Sequence, residues 1–166
     1  MPQGGPLMDL ISDGKTRVAW ASSLANLAAP SLAELGAAQE LTDRITPDGL
    51  KIDPSTADVD TGSLASKFDT KEVGRVGYET ELTFKRGTTT QEDWPYQNLT
   101  YGVHGVLIVR RGIDVETAWT AGQQVETYPV VCGERANVSP AANEVMKFNS
   151  PIKVYAPPAT DAVVAA

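Results

Sequence analysis

Residues 74–87, GRVGYETELTFKRG, alternate in character. Val76, Tyr78, Leu82 and Phe84 share one parity, and Arg75, Glu79, Glu81, Thr83 and Lys85 share the other. A pleated strand sends successive side chains to opposite faces, so the pattern predicts a strand with one buried and one wetted face. Such a strand needs partners. Further β-rich runs supply them: TRVAWASSL (16–24), the apolar part of YGVHGVLIVRRG (101–112), QQVETYPVVCGERANV (123–138) and EVMKFNSPIKVYAPP (144–158). Turn residues separate these runs, which favours antiparallel pairing. The expected fold is mainly β: an antiparallel β-sandwich or rolled barrel with one flanking short α-helix, a long loop and terminal arms.

The connections are read from their punctuation. TPDG (46–49) has the composition of a turn. DPSTADVDTGSLASKFDT (53–70) has little to bury and reads as a long loop. PSLAELGAAQEL (30–41) predicts a short helix opening at Pro30 or Ser31, weakened by Gly36. Asp93 is placed to cap a second short helix, with Pro95 in its first turn and Trp94 and Leu99 inward. Residues 1–15 read as an N-terminal arm and 157–166 as a loose C-terminal tail. With 166 residues, the chain fits a single domain, 1–166.

Charge excludes some classes of partner. The net charge is −7, and no run of basic residues exceeds two. Tight binding to duplex DNA needs a basic face, which this chain does not offer. The longest aliphatic run, Val106 to Val109, is far too short to span a bilayer, so no membrane anchoring is expected. The N-terminus lacks a basic start followed by an apolar core, so no signal peptide is expected. A single cysteine, Cys132, rules out an internal disulfide and fits an intracellular folding compartment. The sequons at Asn98 and Asn137 then read as chance matches.

No motif carries catalysis. His104, the only histidine, is read as a packing or interface residue of a strand over 102–110, closed by a turn at Arg111–Gly112. Cys132 reads as a small core hydrophobe. One Cys and one His are too few for a structural zinc site. Arg110 and Arg111 point to opposite faces of a strand and cannot clamp one phosphate; both read as a solvated strand end neutralised by Asp114 and Glu116. Asp58 and Asp60 lack calcium-loop spacing. Glu79 and Glu81 have the spacing of any polar strand face. Trp20, Trp94 and Trp119 are assigned to the core. No catalytic residue, cofactor or metal is expected.

The order of segments resembles the major tail (tail tube) proteins of long-tailed double-stranded DNA phages. The resemblance rests on APSLAELGAAQELTDRITPDGLKIDPSTADVDTGSL (29–64), YGVHGVLIVRRGIDVETAWTAGQQVETYPVVCGE (101–134) and NEVMKFNSPIKVYAPP (143–158). It implies a structural protein of the virion tail, assembled in the host cytoplasm. Hexameric rings would stack into a tube around a tape-measure protein, bounded by tail-tip and terminator proteins. DNA would pass through without tight binding, which an acidic wall favours. Glu79 and Glu81 become candidates for the lumen, and Asp53, Asp58 and Asp60 for contacts between rings. The competing readings are a capsid or tail decoration protein, a carbohydrate-binding β-sandwich module, and an enzyme using His104 with Cys132 or a carboxylate.

Overall fold

A computed structural model describes residues 8–166. It contains nine strands: β1 (Thr16–Ala21), β2 (Gln39–Glu40), β3 (Ile45–Asp60), β4 (Lys71–Lys85), β5 (His104–Arg111), β6 (Gln124–Cys132), β7 (Ala136–Asn137), β8 (Lys147–Val154) and β9 (Ala159–Val163). Two short helices, α1 (Leu32–Ala37) and α2 (Trp94–Asn98), complete the regular structure. The mainly β, antiparallel class expected from the sequence is borne out. Two flanking helices are present where one was expected in the fold class. The chain forms two compact units, taken in turn.

The first unit comprises residues up to Asp43, Gly105–Pro129 and Pro157–Ala166. Its strands run in the order β2-β1-β5-β6, and β9 lies along the first half of β6. β1 and β5 pair antiparallel from Thr16↔Arg111 to Ala21↔Val106. Both are buried on both faces, because Val18 to Ala21 and Val106 to Arg110 are all inaccessible. Gly105 is required here: a Cβ at this position would lie 2.2 Å from the Trp20 indole. Gly112 ends β5 at φ +82, the conformation that the RRG turn demands. In α1, Ser31 Oγ accepts from the Glu34 N–H at 3.2 Å, and Glu34 Oε1 accepts from the Ser31 N–H at 3.3 Å, a reciprocal cap that fixes the start.

The tail is a correction. Residues 157–166 were expected to be loose, yet they contain β9, and Ala162 and Val164 are buried against Val125 and Ile108. Small residues suit a strand that lies close against its neighbours, and their low hydrophobicity hid it. Of the N-terminal arm, residues 8–13 have no regular structure, and the rest of that expectation lies outside the described residues.

The second unit comprises Arg44–His104 and Val130–Ala156. β8 is its centre, pairing with β4, with the end of β6 and with β7. The core lies on the sheet where β8 pairs with β4: Leu82, Phe84, Phe148 and Ile152 are all 0% exposed. Phe84 stacks on Phe148 at 5.3 Å, and Tyr96 of α2 meets the same ring edge-on at 5.1 Å. The expected TPDG turn is a bulge within β3. The pairing steps from Ile45↔Phe84 to Leu50↔Leu82, five residues against two.

The expected loop over 53–70 is also corrected. Residues 53–60 are strand, paired with 71–79 from Asp53↔Glu79 to Asp60↔Lys71. Only 61–70 form the connection, closed by the Thr61 N–H bonding to the Thr70 carbonyl at 3.1 Å. A segment with little to bury can still be a strand when backbone pairing alone satisfies it.

Candidate assembly surfaces

The pairing of β4 divides it in two. Residues 80–85 have β3 on one side and β8 on the other. Residues 71–79 have β3 alone, so the hairpin continues beyond β8 as a two-stranded ribbon. About eight residues at the usual strand rise carry it roughly 25 Å. A two-stranded ribbon is marginal by itself, and it presents unpaired N–H and C=O groups along both edges.

The register assigns each side chain to a face. Ile52, Pro54, Thr56, Asp58 and Asp60 stand opposite Thr80, Tyr78, Val76, Val73 and Lys71, with a bulge on β4 at Gly74–Arg75 opposite Ala57. This face continues the buried face of Leu82 and Phe84. Outside the core it is uncovered: Val73 is 73% and Val76 60% exposed. The opposite face carries Lys51, Asp53, Val59, Glu72, Glu79 and Glu81. One face is thus mainly apolar at the base and gives way to Asp58, Asp60 and Lys71 towards the tip, the other is mainly charged, and both meet solvent.

The five candidate acids divide between the two faces: Asp53, Glu79 and Glu81 share one, and Asp58 and Asp60 the other. Asp53 stands directly opposite Glu79. Like charges so placed repel, and Lys51 lies between them, 3.9 Å from Asp53 and 3.5 Å from Glu79. Asp58 pairs with Lys71 at 3.2 Å, and the Asp60 carboxylate accepts from the Gly62 N–H at 2.8 Å. The sequence spread these acids over a loop and a strand. The register brings them together on one element.

Arg110 and Arg111 do point to opposite faces, but only one is solvated. Arg110 is 0% exposed. It donates to the Asp114 carbonyl at 2.9 Å, to Gln123 Oε1 at 3.1 Å and to the Ala118 carbonyl at 3.4 Å. Burial, and then the nearby charge of Arg17, lower its pKa. Arg17 is its register partner on β1, and both guanidiniums face the ring of Trp119, at 4.5 and 4.9 Å. The expected solvated strand end is thus, at Arg110, a buried post that holds the loop over 112–123. Asp114 serves through its backbone, and Arg111 pairs with Glu126 at 2.7 Å rather than with Asp114 or Glu116. Sequence spacing cannot show a long side chain folding back under its own loop.

Asp93 departs from its expected role in a similar way. It precedes α2, but its carboxylate makes no capping bond. Instead Arg86 donates two bonds to it, each 2.9 Å, and the Gly87 N–H a third at 3.2 Å. A guanidinium fork binds a carboxylate more strongly than one backbone N–H does. Burial works against ionisation of Asp93, but these bonds outweigh it and hold its pKa below the ordinary value.

The residues weighed for chemistry stay apart from any such use. Cys132 is buried, and burial alone pushes its thiol up to about 11, away from the thiolate that a nucleophile needs. The His104 ring packs edge-on against Tyr155 at 5.2 Å. Trp20 is a core residue, whereas Trp94 and Trp119 are half-buried. Among the described residues no three of His, Cys, Asp and Glu come together as metal ligands, and no helix is long and apolar enough to cross a membrane.

A β-rich chain whose long hairpin runs on beyond its own sheet, with Val73 and Val76 exposed, has the make-up of an assembly subunit. The chain matches the model of the phage tail tube protein family over residues 6–166. It is a member of that family, a structural protein of the phage tail. No curated protein matches it in sequence.

Proposed function

We propose that this protein is the tail tube subunit itself: a single tail-tube domain that assembles into hexameric rings, which stack into a tube. The tube encloses a tape-measure protein, meets tip and terminator proteins at its ends, and conducts DNA at ejection. It is built in the host cytoplasm and ends in the virion. The observation that carries this reading is the ribbon. Its exposed apolar side chains Val73 and Val76 and its edges, along which no further strand runs, are surfaces that neighbouring copies cover by packing and strand pairing. The family match over nearly the whole chain supports one domain.

The charged face supplies the conduit. Asp53, Glu79 and Glu81 lie at the base of the ribbon and line the lumen, where acidic groups keep phosphates from sticking. Asp58 and Asp60 lie towards its tip and meet the adjacent ring. The lumen acids and the ring-contact acids then lie on opposite faces of one ribbon, with Asp53 grouped with Glu79. Electron microscopy of the concentrated protein tests the reading. Rings or tubes with an axial hole are expected, and a strict monomer at every concentration, even when seeded with tail tips, overturns it.

A further inference from the structure

A charge that has left water needs a counter-charge and a full set of hydrogen bonds. Arg110 of β5 has neither. It is 0% exposed. Its three acceptors, the Asp114 and Ala118 carbonyls and Gln123 Oε1, are all uncharged. Its Nε is buried and has no partner among the described residues. A guanidinium does not escape by losing its proton, so the charge stays. Arg111 pairs with Glu126 and points to the opposite face of the strand.

The surroundings add positive charge rather than remove it. Arg17 stands opposite Arg110 in the β1–β5 register. It donates to Glu40 Oε1 at 2.8 Å and to the Thr117 carbonyl at 3.0 Å. Burial first, and then the charge of Arg17, lower the Arg110 pKa, and the opposing influence of Glu40 and Asp114 does not outweigh them. The Trp119 ring lies against both guanidiniums, 4.5 Å from that of Arg17 and 4.9 Å from that of Arg110. Its Nε1 is a second buried donor without a partner among the described residues. The cluster thus sets two guanidiniums against one paired carboxylate, Glu40, and leaves two N–H donors unused. Excess positive charge beside unused donors is the chemistry of an anion site.

We propose that this cluster binds a small monoanion of the halide class, held by the Arg110 Nε–H and the Trp119 indole N–H and faced by the Arg17 guanidinium. A water molecule satisfies the donors but leaves the charge. A phosphate or sulfate brings more charge and more oxygens into a buried place than two donors meet. A halide matches both the charge and the donors. Arg110 holds the loop over 112–123, so the bound ion makes the order of that loop depend on halide concentration. The site lies within the first unit of one chain and does not depend on assembly.

Bromide titration of the full chain tests it, at constant ionic strength with gluconate as the balancing anion. Gluconate is too bulky for a buried site. Bromide seated against the Trp119 ring quenches its fluorescence, so the quenching should saturate, and chloride should relieve it. Quenching of Trp20 and Trp94 is collisional and should rise linearly. A second measurement does not use the fluorophore. A bound ion suppresses opening by one plus the ratio of its concentration to its dissociation constant, so chloride at about nine times the constant found by fluorescence should slow amide exchange over 113–123 about tenfold. Trp119→Phe keeps a ring between the guanidiniums and removes the indole donor, and its exchange should slow less at the same chloride. Strictly linear bromide quenching without relief by chloride overturns the site and leaves both donors to water. Exchange that ignores chloride, or that slows equally in Trp119→Phe, overturns it as well.

Discussion

One strand, β4, behaves in two ways. Over 80–85, where β8 runs beside it, its even positions are buried, and at Val76 the same parity is 60% exposed. The alternation is the same in both halves, and only the partner differs. An alternating pattern therefore reports where a face is meant to be covered, not by which chain. Where the chain itself supplies no cover, the pattern points to an assembled state.

The largest effect should separate the two halves. Phe84→Ala removes a fully buried ring stacked on Phe148 and should cost about 3–5 kcal/mol of monomer stability, read by urea denaturation. Val76→Ala, on the same parity eight residues earlier, should cost no more than about 0.5 kcal/mol. Equal costs would mean that the ribbon's apolar face is already covered in the free subunit, and the comparison would collapse.

The same contrast recurs between adjacent residues of β5. Arg110→Ala empties a buried site and removes the bonds to the Asp114 and Ala118 carbonyls and to Gln123, so a loss of about 2–3 kcal/mol is expected. Arg111→Ala breaks a half-exposed ion pair with Glu126, and such pairs contribute about 0–1 kcal/mol. Amide exchange should quicken over 113–123 in the first variant and not in the second. Similar costs for both would return Arg110 to the solvated strand end that its sequence suggested.

That pair also shows how far the sequence could be read. The alternation of 74–87, the apolar strand around Val106 to Val109 and the short helix opening at Pro30 or Ser31 were all visible, because each is a local pattern. The ribbon was half visible. Its β4 arm alternates, whereas its β3 arm, rich in Asp, Ser and Thr, carries too few apolar residues to register as a strand. β9 escaped notice for a related reason, since Ala159, Ala162 and Val164 bury well but are weakly hydrophobic. Arg110 and Asp93 were misjudged because their partners, the 112–123 loop and Arg86, are chosen by tertiary approach. The division of the five acids between two faces follows from the pairing register, which no spacing along the chain reveals.

A third effect sharpens the covered end of β4. Arg86 continues the ladder by donating its N–H to the Met146 carbonyl at 2.8 Å, and its side chain grips Asp93. Asp93→Asn should cost about 2 kcal/mol, since it removes the charge from a largely buried pair. The pH dependence has a definite sign. The Asp93 pKa is lower folded than unfolded, so its contribution is complete above the ordinary value of 3.8 and is lost as pH falls through the folded value. The Asn variant should lack that part of the acid transition. An unchanged acid limb of the stability curve would show that Asp93 does not couple the end of β4 to the rest of its unit.

The smallest effect on the free subunit should be the most telling in the assembly. Glu79→Lys with Glu81→Lys reverses the charged face at the base of the ribbon. Both residues are exposed, and the one ion pair involved, Lys51 with Glu79, is 3.5 Å long and open to water. Monomer stability should therefore change by less than about 0.5 kcal/mol. With the proposed placement in the lumen, the change repeats in every subunit around the path of the DNA and replaces repulsion of phosphates by attraction. Tails that look intact should then deliver DNA more slowly. The defect should ease as ionic strength rises, because the screening length contracts from about 10 Å at 0.1 M to about 3 Å at 1 M salt. A delivery defect that ignores salt would point to a damaged contact between subunits. Unchanged delivery would move Glu79 and Glu81 off the lumen and leave the uncovered half of β4 as a packing element alone.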